Sequence, residues 1–323
     1  MGRLSYLQRV FSAYLMGNTS QLTFWHGEPK VNENSDPESL GEYYMPFIAK
    51  ANYSGHYDGN GIPMLDYHGK VGLQYNPIAI AQYGLGNYNL YCRTGDRDRK
   101  NKFLRVADWL LDNLETSLLG PRVWYHHFDW EYRDTLKAPW HSALAQGQGL
   151  SVLVRAHLET GDSRYLEAAE QVFETFKIDV SKGGVTYTDP GGYIWFEEAI
   201  VDPPTHILNG FMWAFWGIHD YCLHTAKDEA EQLCKEAART LRDNLHRFDA
   251  GFWSLYEESG TRMKMLASPF YHSLHIVQLQ VMEKLTGDIV FRDFAERWDG
   301  YRGNPFRRNF ALLYKALFKL LYY

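Results

Sequence analysis

Cysteine is scarce in this 323-residue chain: 3 residues, Cys92, Cys222 and Cys234, with no CxxC pair. So few, so scattered, cannot form a disulfide framework, and an odd count fits a reducing compartment. No apolar run approaches the roughly 20 residues of a membrane-spanning helix, and mean hydropathy is −0.41. Positive charge is also short, with 33 Lys and Arg against 39 Asp and Glu and a formal net charge of −6. Duplex nucleic acid needs a basic footprint and is not an expected partner. No HExxH, Cys/His quartet or EF-hand loop is present, and no GxSxG, Walker loop or GxGxxG. The expectation is therefore no metal and no cofactor. The first apolar stretch, from Leu4 to Leu15, is broken by Gln8 and Arg9 and has helical spacing, not that of an export signal. A cytoplasmic location is expected.

Aromatic residues, in contrast, are plentiful: 23 Tyr, 18 Phe and 10 Trp make 16% of the chain. Such side chains suit surfaces that are half apolar and half wet, as sugar-binding clefts are. A turn motif recurs at Thr94-Gly95-Asp96, Thr160-Gly161-Asp162, Thr225-Ala226-Lys227-Asp228 and Thr286-Gly287-Asp288. The spacing of roughly 60 to 66 residues marks an internal repeat. A helix is expected to end at each Thr and another to begin near each Asp, which can cap it. The first members are expected at about 77–92, 142–159, 205–224 and 272–285; the second at about 97–118, 163–176, 229–245 and 289–301. Strand and turn signals precede each pair, at 57–75, 122–133, 184–196 and 251–266. The unit reads hairpin, helix, helix. Four such units imply an all-α-dominated (α/α) barrel of about four helix pairs, with its β-hairpins at one mouth. Three regions follow: an N-terminal helical or extended segment at 1–52, the barrel at 53–303, and an amphipathic C-terminal helix at 304–323. That last helix carries Arg307, Arg308, Lys315 and Lys319 among apolar positions. It is expected to pack on the barrel, with a membrane surface as the alternative.

Two features stand out as chemistry. Glu197 and Glu198 follow Trp195 and Phe196 at the end of the third hairpin. A carboxylate enclosed beside two large aromatics has its pKa raised by desolvation. Strand alternation turns Glu197 away from Glu198. Tyr256 ends a strand of the next hairpin, and Phe270-Tyr271-His272 opens the helix after it. His272 and His275, at i and i+3, lack a third nearby ligand and read more readily as structural than as a metal site.

At these residues the sequence resembles the D-glucuronyl C5-epimerase family that acts on heparosan-type polysaccharides. The matching segments lie at 61–64, 75–85, 139–148, 151–156, 195–198, 208–212, 271–280 and 291–298, in family order. The resemblance implies an (α/α) barrel that converts D-glucuronate to L-iduronate within a polymer. It implies Glu198 and Tyr271 as the acid/base pair on opposite faces of the sugar, with Tyr256 assisting. It implies substrate contacts from Tyr75, Gln82, Trp140, His141, Gln146, Asn209, His272 and His275. The implied partner is a uronic-acid-containing oligo- or polysaccharide. The β-rich region that carries much of the dimer contact in animal members has no room here, so homodimerisation stays open. The calcium ion associated with animal members has no acidic loop here to hold it. Two departures matter. The family's Tyr-Pro after the glutamates is Ala199-Ile200 here, and its Tyr-Asp-Leu-Arg turn is Tyr256-Glu257-Glu258-Ser259. Arg262 or Lys264 is expected to replace the missing arginine. A uronate lyase, a glycoside hydrolase on the same barrel and a non-catalytic glycan binder are the alternatives.

Overall fold

A computed structural model describes residues 24–25, 27–132, 135–258 and 260–322. The expected helix at Leu4 to Leu15, Arg133 and Ser259 lie outside the described residues. Eight helices form the four pairs: α2 (Pro77–Thr94) with α3 (Arg97–Asp112), α4 (Ala143–Thr160) with α5 (Ser163–Glu174), α6 (Leu208–Thr225) with α7 (Asp228–Asn244), and α8 (Pro269–Thr286) with α9 (Ile289–Gly303). A short α1 (Ile48–Ala51) precedes them and α10 (Pro305–Tyr322) follows.

The turn motif works as its chemistry dictates. Each Thr hydroxyl donates to the carbonyl four residues back, from Thr94 to Leu90, Thr160 to Ala156, Thr225 to Tyr221 and Thr286 to Met282. Gly95, Gly161 and Gly287 then take the left-handed conformation, at φ 68°, 71° and 69°. Asp96, Asp162 and Asp288 cap the next helix by accepting a backbone N–H. In the third copy Ala226 holds that conformation at φ 51° without glycine, at some steric cost.

Helices α2, α4, α6 and α8 are buried on nearly all sides and pack in sequence, α2 on α4, α4 on α6 and α6 on α8. Their partners show one buried face each, such as Phe103, Val106, Ala107 and Leu110 on α3. This is an inner ring and an outer ring. Glycine allows the closest crossing: a Cβ at Gly217 of α6 would stand 2.1 Å from the Gly147 carbonyl oxygen of α4.

Residues 32–44 cross the ends of the inner helices farthest from the hairpins. Arg93 of α2 pairs with Glu42, at 2.7 Å, and Lys284 of α8 with Glu33, at 3.1 Å. Between them, Arg155 of α4 donates to the Gly41 carbonyl and pairs with Asp220 of α6 at 2.6 Å. Tyr44 donates to the same Asp220.

The opposite mouth carries the strands. β1 (His56–Tyr57), β2 (Pro63–Asp66) and β3 (Leu73–Gln74) form an antiparallel sheet, with Leu65 opposite Gln74. β6 (Thr186–Thr188) and β7 (Ile194–Phe196) make the expected third hairpin. The second hairpin differs from expectation: β5 (Arg122–Val123) pairs backwards with β4 (Glu115–Thr116). The expected helix to 118 therefore stops at Asp112, because 115–116 are claimed by that pairing. Residues 124–132 and 135–140 are tied by single bridges, His126 to Trp140 and Trp130 to Leu136. The described residues of the fourth region likewise hold single bridges, including Leu255 to Leu266.

One face of α10 packs inward through Ala311 and Phe318, and Lys315 donates to the Leu266 carbonyl. Its other face exposes Phe306, Phe310, Leu313, Leu317 and Leu321. No helix among the described residues is long and apolar enough to cross a membrane.

Candidate active site

The site forms where the third and fourth hairpin regions meet the starts of α6 and α8. Glu197 and Glu198 follow β7 and face different surroundings. Glu197 is buried and pairs with His206 Nδ1 at 2.5 Å, while its backbone accepts from Ala143 and donates to Val185. It thus clamps the hairpin to the segment leading into α6. That leaves Glu198 against the first turn of α6, where Asn209 Nδ2 donates to its Oε2 at 3.3 Å.

Gly210 makes this seat possible. A Cβ there would stand 2.3 Å from Glu198 Oε2 and 2.7 Å from its Cβ. Gly210→Ala must therefore push the carboxylate out of place. The expected outcome is a loss of turnover of about 100-fold, the scale of an approximately 1 Å misplacement, with the circular dichroism spectrum retained. Turnover within threefold of the natural protein would show that the seat is dispensable.

Tyr256 and Tyr271 come together from different elements, their rings edge-to-face with centroids 4.8 Å apart. Backbone bonds hold Tyr256 in place: its N–H donates to Met265 and its carbonyl accepts from Leu208, the first residue of α6. Tyr271 lies in the first turn of α8, where Ser268 caps its N–H. Sequence reasoning missed two members of the cluster. Tyr132, from the segment that follows β5, packs with Trp140 and Tyr256 around Leu136, Ala199 and Ile207. Its hydroxyl donates to Glu257 Oε2 and lies 2.9 Å from the Thr205 hydroxyl. Glu257 is only 2% exposed. The small Ala199 belongs to the surface on which the Tyr132 ring rests.

The electrostatics follow from this enclosure. Burial, then the charge of Glu257, pushes the Glu198 carboxyl up to about 8, against the Asn209 hydrogen bond. Burial and the Glu198 charge also raise Tyr271, while the nearby Tyr256 hydroxyl acts the other way. Tyr256 is raised well above the ordinary range, by burial first and then by Glu198. At neutral pH the site therefore holds a carboxyl that exchanges its proton readily beside phenols that keep theirs.

Of the other expected contacts, Asn209 and Trp140 join this cluster. Gln146 instead ties the β4–β5 region to its helix, accepting from Trp124 N and donating to the Arg122 carbonyl. Gln82 is buried and bonds Gln148 across α2 and α4. His141 bonds the Gly184 carbonyl. His272 stacks on Trp253 with centroids 3.7 Å apart and lies between Ser254 and the Trp298 carbonyl. Burial lowers it to about 3. His275 shares Ser254 with it and is likewise lowered by burial. Both histidines are neutral packing groups. Arg262 and Lys264 are exposed, and Tyr75 lies in a separate cleft at the start of α2. No cluster of three metal-ligating side chains occurs among the described residues.

A D-glucuronyl C5-epimerase of Caenorhabditis elegans is 33% identical over 215 residues, covering 62% of this chain and 34% of that protein. The chain thus spans about a third of that relative's length. An uncharacterized protein of Methanocaldococcus jannaschii is 32% identical over 244 residues, 71% of this chain and 78% of that protein. Among solved structures, cellobiose 2-epimerase from Spirochaeta thermophila superposes with TM-score 0.53 at 12% identity, over 92% of this chain and 84% of that one. A D-mannose isomerase gives TM-score 0.51 at 10% identity, over 78% and 67%. At such identities the structures speak for the (α/α)-barrel fold alone. The family profile described as D-glucuronyl C5-epimerase C-terminus matches residues 121–300, which hold Glu198, Tyr256 and Tyr271, and the chain belongs to that family.

Proposed function

We propose that this protein is a carbohydrate epimerase that inverts C5 of D-glucuronate residues in a heparosan-like polysaccharide. The observation that carries this reading is the junction of α6 and α8, where one carboxyl with a raised pKa shares an enclosed space with two phenols.

The C5 proton is α to a carboxylate and only weakly acidic. Its removal needs a base stronger than an ordinary glutamate. Glu198, with its conjugate acid near 8, meets that need when ionised. It takes the proton from C5, and the electron pair of the C–H bond moves into the substrate carboxylate as an enediolate. Tyr271, still a phenol, gives its proton to C5 from the opposite face, and the electron pair returns to carbon. One turnover leaves Glu198 protonated and Tyr271 a phenolate, so both exchange with solvent before the next. The Tyr256 hydroxyl beside Tyr271 stabilises that phenolate. Glu257 is an unsuitable second carboxylate for glycoside hydrolysis, because it is buried and held by Tyr132.

The test is NMR of heparosan oligosaccharide in deuterated water. Deuterium is expected at C5 together with iduronate signals, and Tyr271→Phe is expected to lose both. An unsaturated uronate product, or no exchange at all, would overturn the assignment.

A further inference from the structure

Two of the three cysteines meet in the third helix pair. Cys222 lies in the last turn of α6, where its carbonyl accepts the N–H of Ala226 and so fixes the backbone there. Cys234 is the seventh residue of α7. Only Ala226 and Lys227 separate the two helices, so α7 folds straight back along α6. Counted from that turn at about 1.5 Å per residue, the two positions differ in height by about 4–5 Å. Helix axes roughly 8–10 Å apart, with Cα atoms about 2.3 Å from each axis, bring facing Cα atoms to about 6 Å. A disulfide spans roughly 4.4–6.8 Å between Cα atoms. The side chains do face each other, since the Cys234 thiol donates to the Cys222 sulfur. Both pack against the core, and both keep partial access to solvent.

The contact divides the two sulfurs into different roles. The hydrogen bond from Cys234 holds the Cys222 thiol below the ordinary range, against burial. The same bond, with burial, raises Cys234. Cys222 is therefore the first to become a thiolate, with a protonated thiol beside it. An accessible thiolate next to a second thiol reacts with peroxide and then closes on its neighbour. The third cysteine, Cys92, belongs to α2 and has no part in this pair. We propose that Cys222 and Cys234 form a peroxide-sensitive dithiol site, which closes into a disulfide that staples α6 to α7.

The steps balance with hydrogen peroxide as the oxidant. The Cys222 thiolate attacks one peroxide oxygen, the O–O bond breaks, hydroxide leaves, and Cys222 becomes a sulfenic acid. The Cys234 sulfur then attacks the Cys222 sulfur, and its proton goes to the departing hydroxyl, which leaves as water. The hydroxide from the first step takes up the proton that Cys222 released. Two thiols have lost two electrons and two protons, and peroxide has become two waters. A dithiol reductant reverses the closure by thiol–disulfide exchange. The closed loop restricts the unfolded chain, so the oxidised protein is the more resistant to heat. The stapled helix is the one whose first turn seats Glu198 through Asn209 and Gly210.

The experiment treats the reduced full chain with a small excess of hydrogen peroxide at neutral pH. Free thiols are then counted in denaturant, and peptides are mapped by mass spectrometry. The expected result is that one thiol of the 3 remains, with the peptides of Cys222 and Cys234 joined, and that dithiothreitol restores the rest. The melting temperature is expected to rise by about 5 °C on oxidation and to fall back on reduction. Cys234→Ser is expected to stop at a sulfenic acid on Cys222 that dimedone traps, and Cys222→Ser to leave the Cys234 thiol intact. Survival of all the thiols would overturn the site, as would a sulfenic acid on Cys222 of the natural protein without the joined peptides. Disulfides that form only between chains, through Cys92, would also overturn it. So would a joined pair that lowers the melting temperature, because the bond would then close only by distorting the helices.

Discussion

Glu198→Gln is expected to remove at least about 1000-fold of the C5 exchange rate, within the range attributed to a positioned acid/base group, and to stabilise the fold above neutral pH. Both effects have one origin. The natural protein encloses a carboxyl whose pKa is pushed up to about 8, from 4.5, by burial and by the charge of Glu257. Near pH 4 the group is protonated in the folded and unfolded chains alike and contributes no difference. As pH rises from 4.5 towards 8, the unfolded chain releases the proton while the folded chain retains it. The unfolded state then binds fewer protons, so stability falls over that window. Glutamine is neutral throughout and escapes the penalty. Because Glu198 is half-buried rather than sealed, solvent screening reduces the full linkage value, and the expected gain is about 1–2 kcal/mol at pH 8.5. Urea unfolding at pH 4.5 and pH 8.5 measures it. A glutamine variant whose advantage is the same at both pH values would show that Glu198 ionises normally. In the natural protein, exchange limited by Glu198 as base should rise with pH towards a plateau above about 8.

The second large effect lies at the other end of the barrel. Arg155→Met is expected to cost about 3–5 kcal/mol of folding stability, as breaking a buried ion pair from one side does. Arg155 and Asp220 are 1% and 0% exposed at the side chain, joined by contacts of 2.6 and 3.1 Å. Removing the guanidinium strands the Asp220 charge between α4 and α6 and frees the Gly41 carbonyl. The double replacement Arg155→Met and Asp220→Leu removes the stranded charge and should recover most of the loss, with the Tyr44 hydroxyl left to His219 Nδ1, 3.1 Å away. Denaturant midpoints of the single and double variants decide the matter. A single variant within 1 kcal/mol of the natural protein would mean that Asp220 is readily hydrated or protonated. Activity measured well below the unfolding midpoint should survive in the double variant, since Arg155 belongs to the base of the barrel.

The repeat was legible in the sequence because its signals act over a few residues. The Thr hydroxyl, the left-handed Gly and the capping Asp all find their partners within four positions, so the helix pairs could be read directly. The motif segments likewise pointed to Glu198, Tyr256 and Tyr271, and these three chain positions do meet around the starts of α6 and α8. The chain alone could not tell which other side chains complete the cluster. Tyr132 lies 125 positions from Glu257, to which it donates directly, and it reaches that place from a segment whose strand pairing differs from local expectation. His272 and Gln146 carry the residue types of a binding site, yet tertiary contacts with Trp298, Trp124 and Arg122 turn them to structural work. The sequence by itself determined the repeating helices and pointed to the two residues proposed as the acid/base pair. Only the tertiary structure decided where Glu198 sits and what charge it carries, because burial and the field of Glu257 come from residues that meet only after folding.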